Sequence, residues 1–303
     1  MSAPTLKAKP GGLPDGGAVP ATSGLRRLKD NIVLVAVYAA FALAVVPLAS
    51  VLYKIVSEGV SVLGADFFLK SMNGIGGRDA GGGIYHSMVG TLEQVALASA
   101  ISIPVAVLTA VYLVEYGQGN RLSKVISFFV DVMTGIPSIV AGLFILAFWI
   151  LVLGFEVSGF AGALALAVLM IPTVVRSAEE MLKLVPNDLR EASYALGVPR
   201  WRTITKVVLP TAFTGIITGI MLAVARVMGE TAPLLLTIWV TKVINFNPFD
   251  GAQSSLPTYI WEQAGDPNQV AVDRAWGAAL ALIFIIMVLN LGARLLARRT
   301  SIR

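Results

Sequence analysis

The stretch Glu191–Pro210, EASYALGVPRWRTITKVVLP, decides how the rest of the chain folds. It lies within residues 176–230, which begin as a charged segment and continue without a break into an apolar run. That apolar run carries two charged residues, Arg226 and Glu230. A charged segment that leads directly into an apolar run of membrane length indicates a loop between two membrane spans.

Within this loop the spacing predicts two short helices. Asp188, with Glu191 three residues later, is typical of a capping box at a helix start, and Gly197 suits a helix end. A second helical run is predicted over 200–208, ending at Leu209-Pro210, where the next span begins. The loop therefore presents a helical surface to water.

Residues 191–210 closely resemble the cytoplasmic loop signature of importer-type ABC transporter permeases. That signature has a Glu-Ala-Ala sequence, a Gly six residues after the Glu, and a final Leu-Pro. Ser193 replaces the usual Ala and Val207 the usual Ile, and both changes are conservative. The resemblance implies that the loop couples the protein to an ATPase through Glu191, Ala192, Gly197, Leu209 and Pro210.

A second segment, ARVMGETAPLLL at 225–236, resembles the A-type subunits of phosphate-specific importer permeases, as does GIPS at 135–138. The likeness covers residues 85–295 and implies an inorganic phosphate cargo. It also implies a substrate pathway that contains Arg226, Glu230 and Thr231. Because Arg226 and Glu230 are one helical turn apart, they share a helix face. The alternative is a structural ion pair that only helps the helices to pack.

The composition indicates a membrane protein. Apolar residues make up 56% of its 303 residues, charged residues only 14%, and the mean hydropathy is +0.79. A soluble domain has about 45–50% apolar and about 25% charged residues. The chain contains no cysteine, which excludes disulfides and thiolate sites. It also lacks the G-x-x-x-x-G-K-[ST] motif, so any ATP must be hydrolysed by a partner chain.

Six apolar stretches are long enough, at about 20 residues, to cross a bilayer as helices. The predicted fold class is therefore all-α, a polytopic membrane protein. The predicted spans are 31–53, 87–113, 125–153, 159–175, 210–240 and 276–293. The fourth is barely long enough, and Pro233 is expected to bend the fifth or to turn its end into a short helix.

The predicted organisation has four parts. They are a disordered N-terminal tail (1–30), the first span with an outer loop (31–85), a transmembrane domain (86–297) that contains the coupling loop (176–209), and a C-terminal tail (298–303). With the N-terminus inside, 17 of the 23 Lys and Arg residues fall on the inner side, five on the outer side, and Arg226 within a span. The positive-inside rule therefore predicts that both termini and the coupling loop are cytoplasmic.

The two large outer loops differ in character. Residues 55–85 contain a run of glycines around 74–83, which predicts flexibility, whereas the Asn and Pro residues of 242–274 predict ordered turns. Trp239, Trp261 and Trp276 suit an outer interfacial belt. In the family that the chain resembles, such outer surfaces receive a substrate-delivering binding protein.

Other polar residues give weaker signals. Glu93 could line a pore or lie at a membrane interface, and Asp131 lies near the end of its span. Proline kinks in the spans have packing as their simplest explanation, with gating hinges as the alternative. His86 is the only histidine and cannot form a metal site alone, so no metal, cofactor or catalytic residue is predicted.

Together these patterns predict half of the channel of a type I ABC importer in a bacterial cell membrane. The resemblance implies four kinds of partner besides membrane lipid: a second, similar permease in a heterodimer, two ATP-binding subunits, and an extracytoplasmic phosphate-binding protein. The basic charge follows from topology and does not indicate nucleic acid. The alternatives are an importer of sulfate or molybdate, an ion-coupled secondary transporter, and a membrane scaffold. The coupling loop argues against the secondary transporter, and the unexplained cost of Arg226 and Glu230 inside a span argues against a scaffold.

Overall fold

A computed structural model describes residues 24–301, with side chains over 26–295, and all regular structure in that range is helical. Residues 1–23 and 302–303, which include most of the predicted N-terminal tail, lie outside it. The described residues divide into two units, on either side of the boundary between Tyr53 and Lys54. The α-helices are α1 (Gly24–Gly59), α2 (Ala65–Leu69), α3 (Tyr85–Val111), α4 (Arg121–Gly135), α5 (Ser138–Ile145), α6 (Gly159–Lys183), α7 (Asn187–Ala195), α8 (Arg200–Thr203), α9 (Leu209–Met228), α10 (Ala232–Thr237), α11 (Leu256–Ala264) and α12 (Gln269–Ser301).

Short helical turns of other types extend several of these helices. A 3₁₀ turn follows α1, and wide π turns follow α3, α5 and α8. The first helix begins at Gly24, inside the predicted tail, and α12 continues to Ser301, through the start of the predicted C-terminal tail. The non-α turns are Val60–Val62, Tyr112–Tyr116, Leu146–Val152 and Ile204–Val208.

Five helical segments of the described chain are long and apolar enough to cross a membrane, and a sixth candidate is bent. The bent candidate consists of Arg121–Gly135 and Ser138–Val152, whose axes differ by 107°. Ile136 precedes Pro137, which disfavours helical geometry at Ile136, and both residues are extended. The five straight candidates are Arg26–Val62, Tyr85–Tyr116, Gly159–Lys183, Arg200–Met228 and Gln269–Leu295.

Contacts at its two ends show that the bent pair crosses the bundle. The bundle of residues 54–301 has a loop end, where Arg190 lies, and a far end, where Gln253 lies. Glu115, just after α3, pairs with Arg190, so α4 starts at the loop end. Gly159 starts α6 against Gln253, at the far end. The chain between them therefore passes from one end to the other, and six spans result, as predicted.

The fourth span is longer than predicted. The helix continues beyond residue 175 to Lys183 because its charged residues have partners. The Arg176 guanidinium donates to a Glu179 carboxylate oxygen at 2.5 Å, to the Ser127 carbonyl at 3.1 Å and to Asp131. This network also joins α4 to α6. Arg176 and Asp131 therefore pair with each other across the two helices.

The fifth span differs from the prediction at its start and agrees at its end. The prediction of a separate helix that stops at Leu209-Pro210 is wrong. The helix runs on from Arg200 through the Ile204–Val208 π turn to Met228. The Leu209 amide bonds the Ile204 carbonyl five residues back, and this wide turn comes directly before Pro210, which has no amide to donate. The predicted short helix at Pro233 is confirmed as α10.

A loop segment is held between α3 and α6 at the far end. The Gln253 side chain accepts from Gln94 at 2.9 Å and donates to Glu93 at 2.6 Å, and Ser254 hydrogen-bonds Ser87 at 2.9 Å. The segment fits because α3 and α6 each carry a glycine there. A Cβ at Gly90 would collide with the Ser254 carbonyl, and one at Gly159 with the Gln253 side chain.

The glycine-rich outer loop is ordered, so the prediction of flexibility is wrong. Met72 and Ile84 are fully buried, and a Cβ at Gly83 would collide with carbonyl groups of α2. Lys242 donates to the Ile75 carbonyl at 3.1 Å, and Arg274 donates to the Asp79 carbonyl. These cationic donors come from distant parts of the chain, which local composition does not reveal.

Gly90→Ala should lower the unfolding temperature of the purified protein, because the added methyl group must displace the Ser254 backbone. Overpacking of this kind costs about 1–3 kcal/mol. The matched control is Gly292→Ala in α12, where a Cβ meets nothing within 4 Å. Differential scanning fluorimetry in detergent would compare the variants. Equal unfolding temperatures for Gly90→Ala and wild type would contradict the tight fit.

Candidate functional site

The coupling loop contains the helix α7, whose start differs from the prediction and whose end agrees with it. The predicted capping box is absent: α7 begins at Asn187, after Pro186, and no side chain caps it. The predicted end at Gly197 agrees with the structure. Gly197 has φ +75, and the Val198 amide bonds the Ser193 carbonyl at 3.2 Å, as in a Schellman motif. A glycine is needed there because other residues rarely adopt this conformation.

Apolar side chains on the coupling loop point away from the bundle. Leu196 is 83% exposed and Leu184 73% exposed, and Trp201 is also exposed. Glu191 and Ala192 are exposed as well. Exposed apolar side chains on this loop make it a candidate protein-binding surface.

A buried ion pair fixes this loop to the bundle, and sequence reasoning missed it. Arg190 donates to Glu115 at 2.8 and 3.1 Å, and both side chains are largely buried. The same guanidinium donates to the carbonyls of Leu182 in the last turn of α6 at 3.0 Å and of Val185, just beyond α6, at 2.6 Å. The Arg190 contacts therefore join α7 to the ends of α3 and α6. A glutamate at the end of an apolar span was the available signal, because a buried charge requires a partner.

The two halves of the loop are also locked together. The hydroxyl groups of Ser193 and Thr203 are buried and 2.8 Å apart, which connects α7 to α8. Ser193 is the position that departs from the signature alanine. Its hydroxyl is accommodated because Thr203 supplies a partner.

A polar cleft of about 410 Å³ opens near the contact of Ser193 with Thr203, between the loop and the end of α3. Its charged lining mixes both signs. Lys183, Arg190 and Arg200 face Glu115 and Glu191. Arg200 also lies over the Tyr116 ring, 5.0 Å from its centroid. The cleft is therefore lined by charged groups from both the loop and the end of α3.

The predicted pathway residues come together where α9 ends. Arg226 Nε lies 3.8 Å from Glu230 Oε1, and the Arg226 side chain is 60% exposed while that of Glu230 is 18% exposed. Within the described part of the chain, the Arg226 guanidinium makes no hydrogen bond, so its donor groups are available. Thr231 follows directly and precedes α10. The break in the helix thus presents a cation, a carboxylate and a hydroxyl side by side.

An apolar cleft lies elsewhere in the bundle. It has a volume of about 590 Å³ and lies between α3 and α9 toward the loop end. Its lining is apolar apart from two threonines, and it contains no charged residue. An anion would find no counter-charge there. The Arg226 site is therefore the better candidate for a charged ligand.

The remaining polar residues of the sequence prediction have structural roles. Glu93 binds Gln253 at the far end, and Asp131 pairs with Arg176. His86 is buried against the Tyr259 ring in the first turn of α3. Over the described residues there is no group of three side chains that could hold a metal ion.

Comparison with known families agrees with this arrangement. Residues 102–302 match the model of the family described as binding-protein-dependent transport system inner membrane component. The chain belongs to this family. Two relatives are the phosphate transport system permease protein PstA 1 of Mycobacterium tuberculosis H37Rv, 45% identical over 89% of this chain and 88% of its own, and PstA of Mycobacterium leprae, 46% identical over 88% of each.

A solved structure supports the fold of the permease. A chain of the bacterial alginate ABC transporter, in complex with a periplasmic protein bound to an alginate pentasaccharide, superimposes with a TM-score of 0.64. It covers 91% of this chain and 97% of its own, at 14% identity. At that identity the likeness establishes the fold, the type I ABC importer permease fold, and not the cargo.

Glu115→Ala in the permease should lower stability strongly, because it leaves the buried Arg190 charge without its partner. Breaking a buried pair in this way costs about 3–5 kcal/mol. Thermal unfolding in detergent would measure the change. The matched control is Lys70→Ala, which removes an exposed pair with Asp66 and should leave the unfolding temperature unchanged. Equal effects of the two variants would contradict the role of Glu115.

Proposed function

We propose that this permease is the membrane subunit of an ATP-driven importer of inorganic phosphate and forms half of the translocation pathway. The observation that carries the proposal is the exposed Arg226 guanidinium at the break between α9 and α10. The relatives named as phosphate transport permeases support the choice of cargo. The chain itself has no catalytic role in this scheme.

The pathway chemistry follows from the pair of charges. A guanidinium is planar and presents paired N–H donors that match two oxygens of a phosphate. Arg226 is also in the last turn of α9, where the helix dipole favours a cation. Glu230 would orient Arg226 and could accept the proton of hydrogen phosphate. Fully ionised sulfate has no such proton, so Glu230 favours phosphate. Thr231 would add a hydroxyl donor.

The position of Arg226 suits a pathway residue. Thr218 lies near Arg294, toward the loop end of α12, and Arg226 is eight residues further along α9. At 1.5 Å per residue, Arg226 lies about 12 Å further from the loop end than Thr218 does. A charge inside the bilayer is costly and usually faces a pathway or a partner.

In this proposal, ATP hydrolysis would displace the coupling loop, and the helix from Arg200 to Met228 would transmit the displacement. The loop is locked internally by Ser193 and Thr203 and fixed to α3 and α6 by Arg190. From Arg200 the helix runs unbroken to Met228, about 43 Å at 1.5 Å per residue. A push on the exposed surface around Glu191, Ala192 and Gly197 would therefore reach Arg226. Leu209 and Pro210 lie where this helix leaves the loop.

The proposed assembly contains a second, similar permease, two ATP-binding subunits and an extracytoplasmic phosphate-binding protein. The setting is a bacterial cell membrane, with both termini and the loop end in the cytoplasm. The excess of Lys and Arg at that end supports this orientation. Import would proceed by alternating access, in which the bundle opens in turn to each side.

Arg226→Gln should reduce phosphate uptake by about 30-fold or more, since losing about 2 kcal/mol of charged hydrogen bonding lowers affinity by that factor. Uptake of radiolabelled phosphate would be measured in proteoliposomes that contain the complete transporter, with sulfate and molybdate as competitors. Lys54→Gln, which removes an exposed charge, is the matched control. Normal uptake by Arg226→Gln would remove this residue from the pathway. Full competition by sulfate or molybdate would reassign the cargo.

Gly197→Val should uncouple the transporter, whereas Gly197→Asn should retain most of its activity. No atom lies within 4 Å of a Cβ at this position, so the effect comes from the φ of +75, which valine resists and asparagine tolerates. The measurements are ATP turnover and co-purification of the ATP-binding subunits. Wild-type values for Gly197→Val would exclude a role for the helix end in coupling.

A further inference from the structure

The apolar cleft between α3 and α9 has the length of one membrane leaflet. On α9 its lining runs from Leu209 to Ile220, and Ile103 and Val107 of α3 form the other wall. At 1.5 Å per residue, the α9 wall is about 16 Å long. Half of a hydrocarbon core that is about 30 Å thick has nearly the same depth. We call this cleft the α9 groove.

The α9 groove lies on a different side of α9 from Arg226. Phe213, which lines the groove, and Arg226 are thirteen residues apart. At about 100° per residue, their side chains are about 140° apart around the helix axis. In the proposed function the pathway lies between two permeases, so the Arg226 side of α9 faces the second permease. The groove side is turned away from that subunit and faces the surrounding lipid.

Two cations stand on the same side of this helix, just beyond the loop end of the groove. The helix is continuous from Arg200 to Met228, and side chains three or four residues apart share a side. That spacing joins Arg202, Lys206, Leu209 and Phe213. Arg202 and Lys206 are exposed, and neither forms an ion pair with another residue that the structure describes. The apolar groove therefore leads into a basic end.

The basic end also has the features of a membrane interface. Trp201 is exposed, and the Arg202 guanidinium lies 5.2 Å from the centroid of its ring. Tryptophan is enriched where hydrocarbon meets water. The Thr205 hydroxyl is exposed at the same end and lines the groove. One side of the helix thus passes from cations and a hydroxyl to an apolar channel within about one leaflet.

We infer that the α9 groove binds one anionic phospholipid of the cytoplasmic leaflet. An acyl chain lies along Leu209–Ile220, and the headgroup phosphate lies at Arg202 and Lys206. Basic groups at the cytoplasmic end of a cleft between spans are suited to anionic headgroups. A free phosphate ion would gain nothing from the apolar channel, whereas each buried CH₂ of a lipid chain is stabilising. The inference rests on the proposed function for the orientation of α9 and adds a ligand to it.

The double variant Arg202→Gln, Lys206→Gln should bind phosphatidylglycerol about 30-fold more weakly than wild type, with phosphatidylcholine binding unchanged. Each cation near a membrane surface strengthens attraction to an anionic lipid about fivefold. The full-length permease, purified with its accompanying subunits and delipidated in detergent, would be titrated with either lipid, both carrying the same acyl chains. Native mass spectrometry would count the bound lipids. The matched control is Arg121→Gln, Lys124→Gln, which removes two exposed cations of α4.

A second pair of variants tests the acyl-chain site independently of charge. Ile217→Trp places a larger side chain in the groove and should weaken binding of both lipids. Leu222→Trp adds the same ring to the same helix at an exposed position outside the groove, and it should bind lipid as wild type does. Because Ile217 is only partly buried, the larger ring should leave the unfolding temperature close to that of wild type.

The outcomes separate the lipid site from the function on which it rests. Equal affinity of wild type for the two lipids, or an unchanged preference in the Arg202 and Lys206 variant, would overturn the inference. If Ile217→Trp keeps the lipid but loses the second permease on purification, the groove is a subunit contact and the inference is wrong. If the lipid binds as expected but the wild-type complex does not take up phosphate with ATP, the proposed function fails and the lipid site stands.

Discussion

The buried contact between Arg190 and Glu115 is the interaction on which the rest of the arrangement depends. Two charges removed from water are stabilising only when their hydrogen bonds are complete, and here the guanidinium also binds carbonyl groups at the end of α6. As a result, the coupling loop is attached to the bundle by buried contacts and not only by the chain. Its position sets the direction of the helix from Arg200 to Met228, and that helix ends at the proposed anion site.

Two breaks in spanning helices shape the far end of the bundle. The bend after Gly135 starts α5, and the break after Met228 leads to α10. These short helices pack on each other closely: a Cβ at Gly142 would lie 2.6 Å from the Pro233 Cα. Backbone that leaves the helix within a membrane must be covered by protein or line a cavity. Here one side of α10, with Pro233, Leu234 and Thr237, is buried in the bundle.

Much of the fold could be predicted from sequence, because hydropathy reports the need for internal backbone hydrogen bonds in lipid. Six spans, the helix end at Gly197 and the short helix at Pro233 all followed from local patterns. Several errors share one cause. The length of α6, the contacts of the glycine-rich loop and the anchoring of α7 depend on partners far along the chain, such as Asp131 for Arg176, Arg274 for Asp79 and Glu115 for Arg190. The absent capping box of α7 and the continuous helix from Arg200 are local departures. Arg226 and Glu230 could be found in the sequence because charges are rare in apolar runs.

The π turn at Ile204–Val208 sets the rotational phase of the helix that carries Arg226. A π turn holds one residue more than an α turn, and one residue corresponds to about 100° of rotation around the helix axis. The sequence before this turn contributes to the loop, and the sequence after it carries Arg226. The extra residue therefore fixes which way Arg226 faces relative to the loop. An insertion or deletion between Thr203 and Leu209 would rotate Arg226 by about 100° around the helix axis, whereas a substitution there would not.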